Sequence, residues 1–139
     1  HTRYGTVTGV QTCALPIYVG HNSLACEYVT QSLETIISES ERVVIFGALA
    51  DKDVDSMLPI VRAYTERVVL VGIDGARGRS VGALRASWSS LFGQTCWRSF
   101  ATLGDAMREL PSELNRDDQI LVIGSFVLVA DALRHDLFN

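Results

Sequence analysis

Apolar and polar residues alternate along this chain in blocks of two kinds. Short unbroken apolar runs stand at Val43-Val44-Ile45-Phe46, Val68-Val69-Leu70-Val71 and Ile120-Leu121-Val122-Ile123, with a weaker one at Cys96-Trp97-Arg98-Ser99. Runs without polar alternation suit parallel strands covered on both faces. Between them apolar residues recur at helical spacing. Ser23 opens a helix with Leu24, Ala25, Tyr28, Val29, Leu33, Ile36 and Ile37 on one face, and a second, over 53–64, turns Val54, Met57, Leu58, Val61 and Tyr64 inward. A third, capped by Ser80, places Val81, Leu84, Trp88 and Leu91 inward; a fourth carries Leu103, Ala106, Met107 and Leu110 and stops near Pro111; a fifth carries Val129, Ala130 and Leu133. Regular alternation of about four strands with helices predicts right-handed crossovers. The expected fold class is α/β, a Rossmann-like sandwich with a mostly parallel sheet and helices on both faces. A small antiparallel edge strand near Phe100 or in the N-terminal segment is compatible with the pattern.

Composition narrows the function classes. The 139 residues suffice for one domain with a real core. A formal net charge of -4 and a pI near 5.3, with basic residues scattered, leave no electrostatic footprint for nucleic acid. The apolar runs are strand-sized, so no membrane segment is expected, and the N-terminus lacks a signal-peptide pattern. Cys13, Cys26 and Cys96 form no CxxC pair and have no metal-ligand spacing with His1, His21 and His135. A reduced, cytoplasmic, monomeric protein without a metal site is expected, with Cys26 and Cys96 as small apolar residues of a helix and a strand. Residues 1–17 follow no strand or helix template and are expected to be loop or disorder, and Val7 to Ile17 resemble a translated sequencing-adapter read. The domain is therefore expected over 18–139.

Three loops stand out: Gly47 to Asp53, Gly72 to Ser80 and Gly124 to Phe126. Each follows a strand, and open parallel sheets bind ligands beyond the carboxyl ends of their strands. They are expected on one rim, whereas the connections at Glu39-Ser40-Glu41 and Asn115-Arg116-Asp117-Asp118 read as simple polar turns. The rim would gather Asp51, Lys52, Asp53, Arg77, Arg79 and Ser125, a mixture suited to a zwitterion: an arginine for one carboxylate, helix N–H groups and a hydroxyl for another, an aspartate for an ammonium. Asp51 is placed to cap the following helix and Asp53 to lie in its first turn. Each residue has a plainer reading: Asp51, Asp53 and Ser125 as caps, Arg77 and Arg79 as solvated charges, His21 as a packing residue. Lys52 alone has no folding role in the pattern. The chain carries no GxxxxGK(S/T) loop, no GxGxxG after a strand and no sequence context for a Ser-His-Asp or Cys-His nucleophile.

Four segments together resemble the C-terminal domain of the folylpolyglutamate synthase and dihydrofolate synthase family, within the Mur ligase superfamily. Val19-Gly20-His21-Asn22 before a helix is similar to the family's Asp-x-Ala/Gly-His-Asn-Pro, and Gly47-Ala48-Leu49-Ala50-Asp51-Lys52-Asp53 to its Gly-x-x-x-Asp-Lys-Asp loop. Gly75-Ala76-Arg77-Gly78-Arg79-Ser80 parallels Pro-Arg-Gly-x-Ser, and Gly124-Ser125-Phe126 with Val129 and Ala130 matches Gly-Ser-Phe-x-x-Val-Ala. The match covers Val19 to about Leu133.

The resemblance implies ATP-dependent amide bond formation: a folate or dihydropteroate carboxylate becomes an acyl phosphate that the amine of L-glutamate attacks, with Mg2+ supporting the phosphoryl step. It implies that His21, Ser125 and Arg77 hold glutamate, and that His21, Asn22, Asp51, Lys52 and Asp53 line the nucleotide side of the cleft; no catalyst is assigned to this domain. The sequence departs from the family pattern at Tyr18 in place of Asp, Ser23 in place of Pro and Ala76 in place of Pro. The P-loop, the metal ligands and the folate pocket belong to the family's N-terminal domain, so this chain alone is expected to be inactive and to bind no cofactor by itself. A Mur-type peptidoglycan ligase domain and a non-catalytic small-ligand module are the alternatives.

Overall fold

The three unbroken apolar runs become strands, and the periodic segments between them become helices that bury one stripe each. The computed structural model describes residues 22–124 together with Leu128. In chain order the elements are α1 (Ser23–Leu33), β1 (Arg42–Gly47), α2 (Val54–Tyr64), β2 (Val68–Val71), α3 (Val81–Phe92), β3 (Arg98–Phe100), α4 (Leu103–Glu109) and β4 (Gln119–Gly124). Short 3-10 turns at Glu39–Glu41 and Leu110–Ser112 precede β1 and follow α4, and Pro111 sits in the second of these, where it ends the helix.

The strands form one sheet in the order β3-β2-β1-β4. Every pairing is parallel, with Val44 opposite Val68, Val69 opposite Arg98, and Gly47 opposite Gly124. Both faces are buried, so alternate residues of each strand feed two separate cores. Val44, Phe46, Val68, Leu70, Leu121 and Ile123 meet α1, α2 and α3. Val43, Ile45, Val69, Val71 and Val122 meet Leu103, Ala106 and Leu110 at α4, together with Leu128. The chain thus steps from β1 to β3 under helices of one face and returns to β4 under α4 on the other, as uniformly right-handed crossovers require.

Several expectations change here. Leu24 and Tyr28 are 77% and 72% exposed, because α1 buries Cys26, Val29, Thr30 and Leu33 instead. At about 100° per residue, Leu24 and Tyr28 each lie two positions from Cys26 and so face away from it. Ile36, 52% exposed, falls in the turn after α1, and Leu91, in the last turn of α3, is also exposed. The third strand begins at Arg98, leaving Cys96 before it, and Phe100 belongs to a parallel rather than an antiparallel edge. The fifth helix lies outside the described residues apart from Leu128, as does the N-terminal segment.

The amino ends of the strands are closed by two arginines. Arg42 donates to the carbonyls of Ile37 at 3.0 Å, Tyr64 at 3.1 Å and Glu34 at 2.7 Å, and stacks over the Tyr64 ring at 4.6 Å, so one side chain gathers the carboxyl ends of α1 and α2. Arg67 grips Asp118 through two bonds of 3.0 and 2.8 Å and also donates to the Ser40 carbonyl at 2.7 Å. The Asn115 amide adds a 2.7 Å bond to the same carboxylate. The connections read as simple polar turns are therefore tied together by a buried ion pair, the Asp118 side chain being 3% exposed.

The Arg67 guanidinium holds the Asp118 carboxyl below the usual aspartate range. Its contribution to stability is therefore fully present above the unfolded-state value of about 3.9 and is lost as pH falls through the lower folded value. Asp118→Ala removes the carboxylate from a half-buried Arg67, which keeps its bond to the Ser40 carbonyl, and should lower the unfolding free energy by about 1.5–3 kcal/mol, measured by urea denaturation at neutral pH. The difference between the variant and the wild type should shrink below about pH 4.

Candidate functional site

The sheet reverses its winding between β1 and β4, so the crevice of this fold opens where those two strands end side by side. Gly47 and Gly124 are paired there. Gly124 has φ +140, and a Cβ on it would overlap the Gly47 carbonyl oxygen. The backbone thus comes closer together at this point than any side chain would permit.

Four helices present their amino ends to the same rim. The helices α2, α3 and α4 each start after a strand has reached it, and α1 must start there because Arg42 holds its other end beside the start of β1. Their caps are side-chain oxygens of Asn22, Asp53, Ser80 and Thr102, which accept from the amides of Ala25 at 2.8 Å, Ser56 at 3.3 Å, Ala83 at 3.1 Å and Asp105 at 3.2 Å. A cap satisfies one of the four donors that a helix start leaves open, so the rim keeps a positive lean that favours anions.

The loops after β1 and β2 are joined into one piece. Leu49 and Gly78 form an antiparallel bridge, and the Ala50 amide donates to the Arg77 carbonyl at 2.9 Å. Arg79 completes the joint: its guanidinium donates to the carbonyls of Leu49 at 3.4 Å, Ala50 at 2.7 Å and Lys52 at 2.7 Å. Gly78 is required because a Cβ there would overlap the Ile73 carbonyl oxygen. On this joined surface Asp51 and Arg77 are exposed and Lys52 is half-buried. None of these three side chains has a hydrogen bond or ion pair with a described residue.

The structure sorts the sequence candidates. The first two loops do share the rim; of the third, only Gly124 lies among the described residues, and it ends β4 beside Gly47. Asp53, not Asp51, caps α2, because the helix starts one residue later than the periodicity suggests; Asp51 sits in the turn before it. Asn22, not Ser23, caps α1. Arg79 is a half-buried clasp rather than a solvated charge. His21, Ser125, Phe126, Val129 and Ala130 lie outside the described residues. An arginine that binds carbonyls 27 to 30 residues away leaves no local pattern in the sequence.

The remaining chemistry points away from other sites. Burial pushes the Cys26 thiol up to about 12 and raises Cys96 as well, which keeps both from acting as thiolates near neutrality. Cys96 donates its weak S–H to the Arg98 carbonyl at 3.2 Å. Among the described residues no three His, Cys, Asp or Glu side chains gather in a way that could hold a metal ion, and no helix is long and apolar enough to cross a membrane. A groove of about 350 Å³ lies between α1 and α2, lined by Glu27, Glu34 and Tyr64 among others. It runs along helix flanks toward the amino ends of the strands, away from their carboxyl ends, so the rim remains the stronger candidate.

Comparison with known proteins shows the family and the fold. The family model of the Mur ligase, glutamate ligase domain, matches residues 3–126. A dihydrofolate synthase/folylpolyglutamate synthase of Buchnera aphidicola subsp. Schizaphis graminum is 26% identical over 116 residues, covering 81% of this chain and 26% of that protein. Its counterpart in Haemophilus influenzae is 27% identical over 128 residues, covering 88% of this chain and 29% of that protein. A bifunctional folylpolyglutamate synthase/dihydrofolate synthase solved with Mn, AMPPNP and L-glutamate bound superposes with a TM-score of 0.75 at 25% identity, covering 91% of this chain and 30% of that one. The chain thus spans less than a third of the length of these relatives.

Two glycines give opposite expectations. Gly78→Ala should cost at least about 2 kcal/mol, since backbone must move to admit the methyl group. Gly82→Ala, where a Cβ would meet only the Ser80 hydroxyl oxygen at 3.9 Å within α3, should add about 0.5–1 kcal/mol of stability. Thermal denaturation of the two variants checks both signs.

Proposed function

The chain belongs to the family of the Mur ligase glutamate ligase domain, and from that premise we propose that it serves an ATP-dependent folate:L-glutamate ligase, in which an activated carboxylate receives the amine of glutamate. The observation that carries this reading is the pair of cations, Lys52 and Arg77, left without partners among the described residues on a rim of helix amino ends at the β1/β4 crevice. Neither cation is spent on the fold; one joined piece of backbone carries both on a rim suited to anionic ligands.

In this proposal Arg77 receives a glutamate carboxylate in a two-pronged geometry, and His21 and Ser125 complete the glutamate pocket. Asn22 and Asp53 each spend one oxygen on a cap and keep the rest of their side chain for the cleft. Lys52 faces the nucleotide phosphates as a point charge, and Asp51 stands beside it. ATP, when bound, supplies the phosphoryl group that activates the acceptor carboxylate. Its phosphates suit the cationic rim, and in this reading the magnesium ligands belong to the family's N-terminal domain. Residues 18–139 form the domain in this reading, within a monomeric cytoplasmic enzyme whose acceptor is dihydropteroate or folate.

Kinetics of an intact ligase carrying this sequence test the reading. Arg77→Ala, His21→Ala and Ser125→Ala should each raise the glutamate KM by the equivalent of about 1–3 kcal/mol, the cost of an unpaired buried polar group. Unchanged glutamate dependence in all three would remove the proposed pocket. The 139 residues alone, which contain no GxxxxGK(S/T) loop, should show no ATP-driven glutamylation in a radiolabelled glutamate assay.

A further inference from the structure

We propose that Arg79 is a positioning residue that makes the β1–α2 and β2–α3 loops a single recognition element, so that Lys52 and Arg77 meet a ligand at one set spacing. The turn Ala50-Asp51-Lys52 wraps a single guanidinium nitrogen: Nη2 donates to the carbonyls on either side of Asp51, both at 2.7 Å. The same side chain reaches the Leu49 carbonyl through Nε at 3.4 Å. Arg79 is therefore held by three carbonyls of one loop while its own backbone belongs to the other, its carbonyl accepting from the Ile73 amide at 3.0 Å. The reciprocal bond, Ala50 amide to Arg77 carbonyl, ties the residue next to the turn to the backbone of the exposed cation.

A planar guanidinium with donors in a rigid fork can serve several carbonyls at once, which an ammonium on a flexible stem cannot do with the same geometry. Among the described residues no carboxylate is bonded to Arg79, whose donors are spent there on shaping backbone. The part of this inference that concerns ligand binding rests on the glutamate reading above; the joining of the loops does not.

Amide hydrogen exchange by NMR on the 139-residue chain, for wild type, R79Q and R79K, separates the two. In R79Q the Ala50 amide should exchange at least about tenfold faster, while Ile45 and Leu70 in the core strands stay within about twofold; R79K should fall between wild type and R79Q. Titration with L-glutamate, followed at the Ala50 and Arg77 amides, should require about tenfold more ligand in R79Q than in wild type. Unchanged Ala50 exchange in R79Q, equal acceleration of Ile45 and Leu70, or full rescue by R79K would overturn the proposal, as would faster Ala50 exchange with unaltered glutamate affinity. If wild type itself gives no glutamate response but the exchange pattern is as expected, the joining role of Arg79 stands and the glutamate reading of the rim falls.

Discussion

The close approach of Gly47 and Gly124 sets the geometry on which the rest of the molecule depends. The strands β1 and β4 must end side by side, because the sheet is wound outward from β1 in one direction and completed by β4 in the other. A Cβ on Gly124 would strike the Gly47 carbonyl. With glycine at both places the strands stay in register to their last residue and end at a common point. The crevice exists because the backbone there carries no side chain, and the helix starts around it supply its polarity.

Charge is treated in opposite ways at the two ends of the sheet. At the amino ends of the strands, Arg42 and Arg67 are bound to carbonyls and to a buried carboxylate, closing helix ends and turns. At the carboxyl ends, Arg79 is likewise spent on backbone, but Arg77 and Lys52 are not. This asymmetry separates the end that holds the fold together from the end that can hold a ligand. Buried, multiply bonded charges contribute through geometry, and removal of a partner is costly; Arg77, exposed, and Lys52, half-buried, have no partner among the described residues and are available for recognition.

Much of this was legible in the residues themselves. The apolar runs of β1, β2 and β4 announced a buried parallel sheet, Ser80 announced the start of α3, and the loops after β1 and β2 announced a shared rim. Single positions were less legible. Whether Asp51 or Asp53 caps α2 turns on one residue of helix start, and both residues are good caps. Leu24 and Tyr28 fitted a helical stripe as well as Cys26 and Val29 did, because two overlapping periodic sets run through α1 and only packing against α2 and the sheet chooses between them. The Arg67–Asp118 pair spans 51 residues and the Arg79 clasp 27 to 30, and no local spacing signals either.

The sequence by itself determined the class of fold, the order of its elements and the loops on which ligand chemistry would gather, since hydrophobic period and loop composition are local properties of the chain. The tertiary structure alone decided which of the rim's charges are free to act. Arg77 and Arg79 are two residues apart and chemically identical, yet one is consumed by the carbonyls of a distant loop and the other is left exposed. That distinction comes from where the β1–α2 loop lies once β1 and β2 are paired, and a long-range contact of this kind has no counterpart in local sequence.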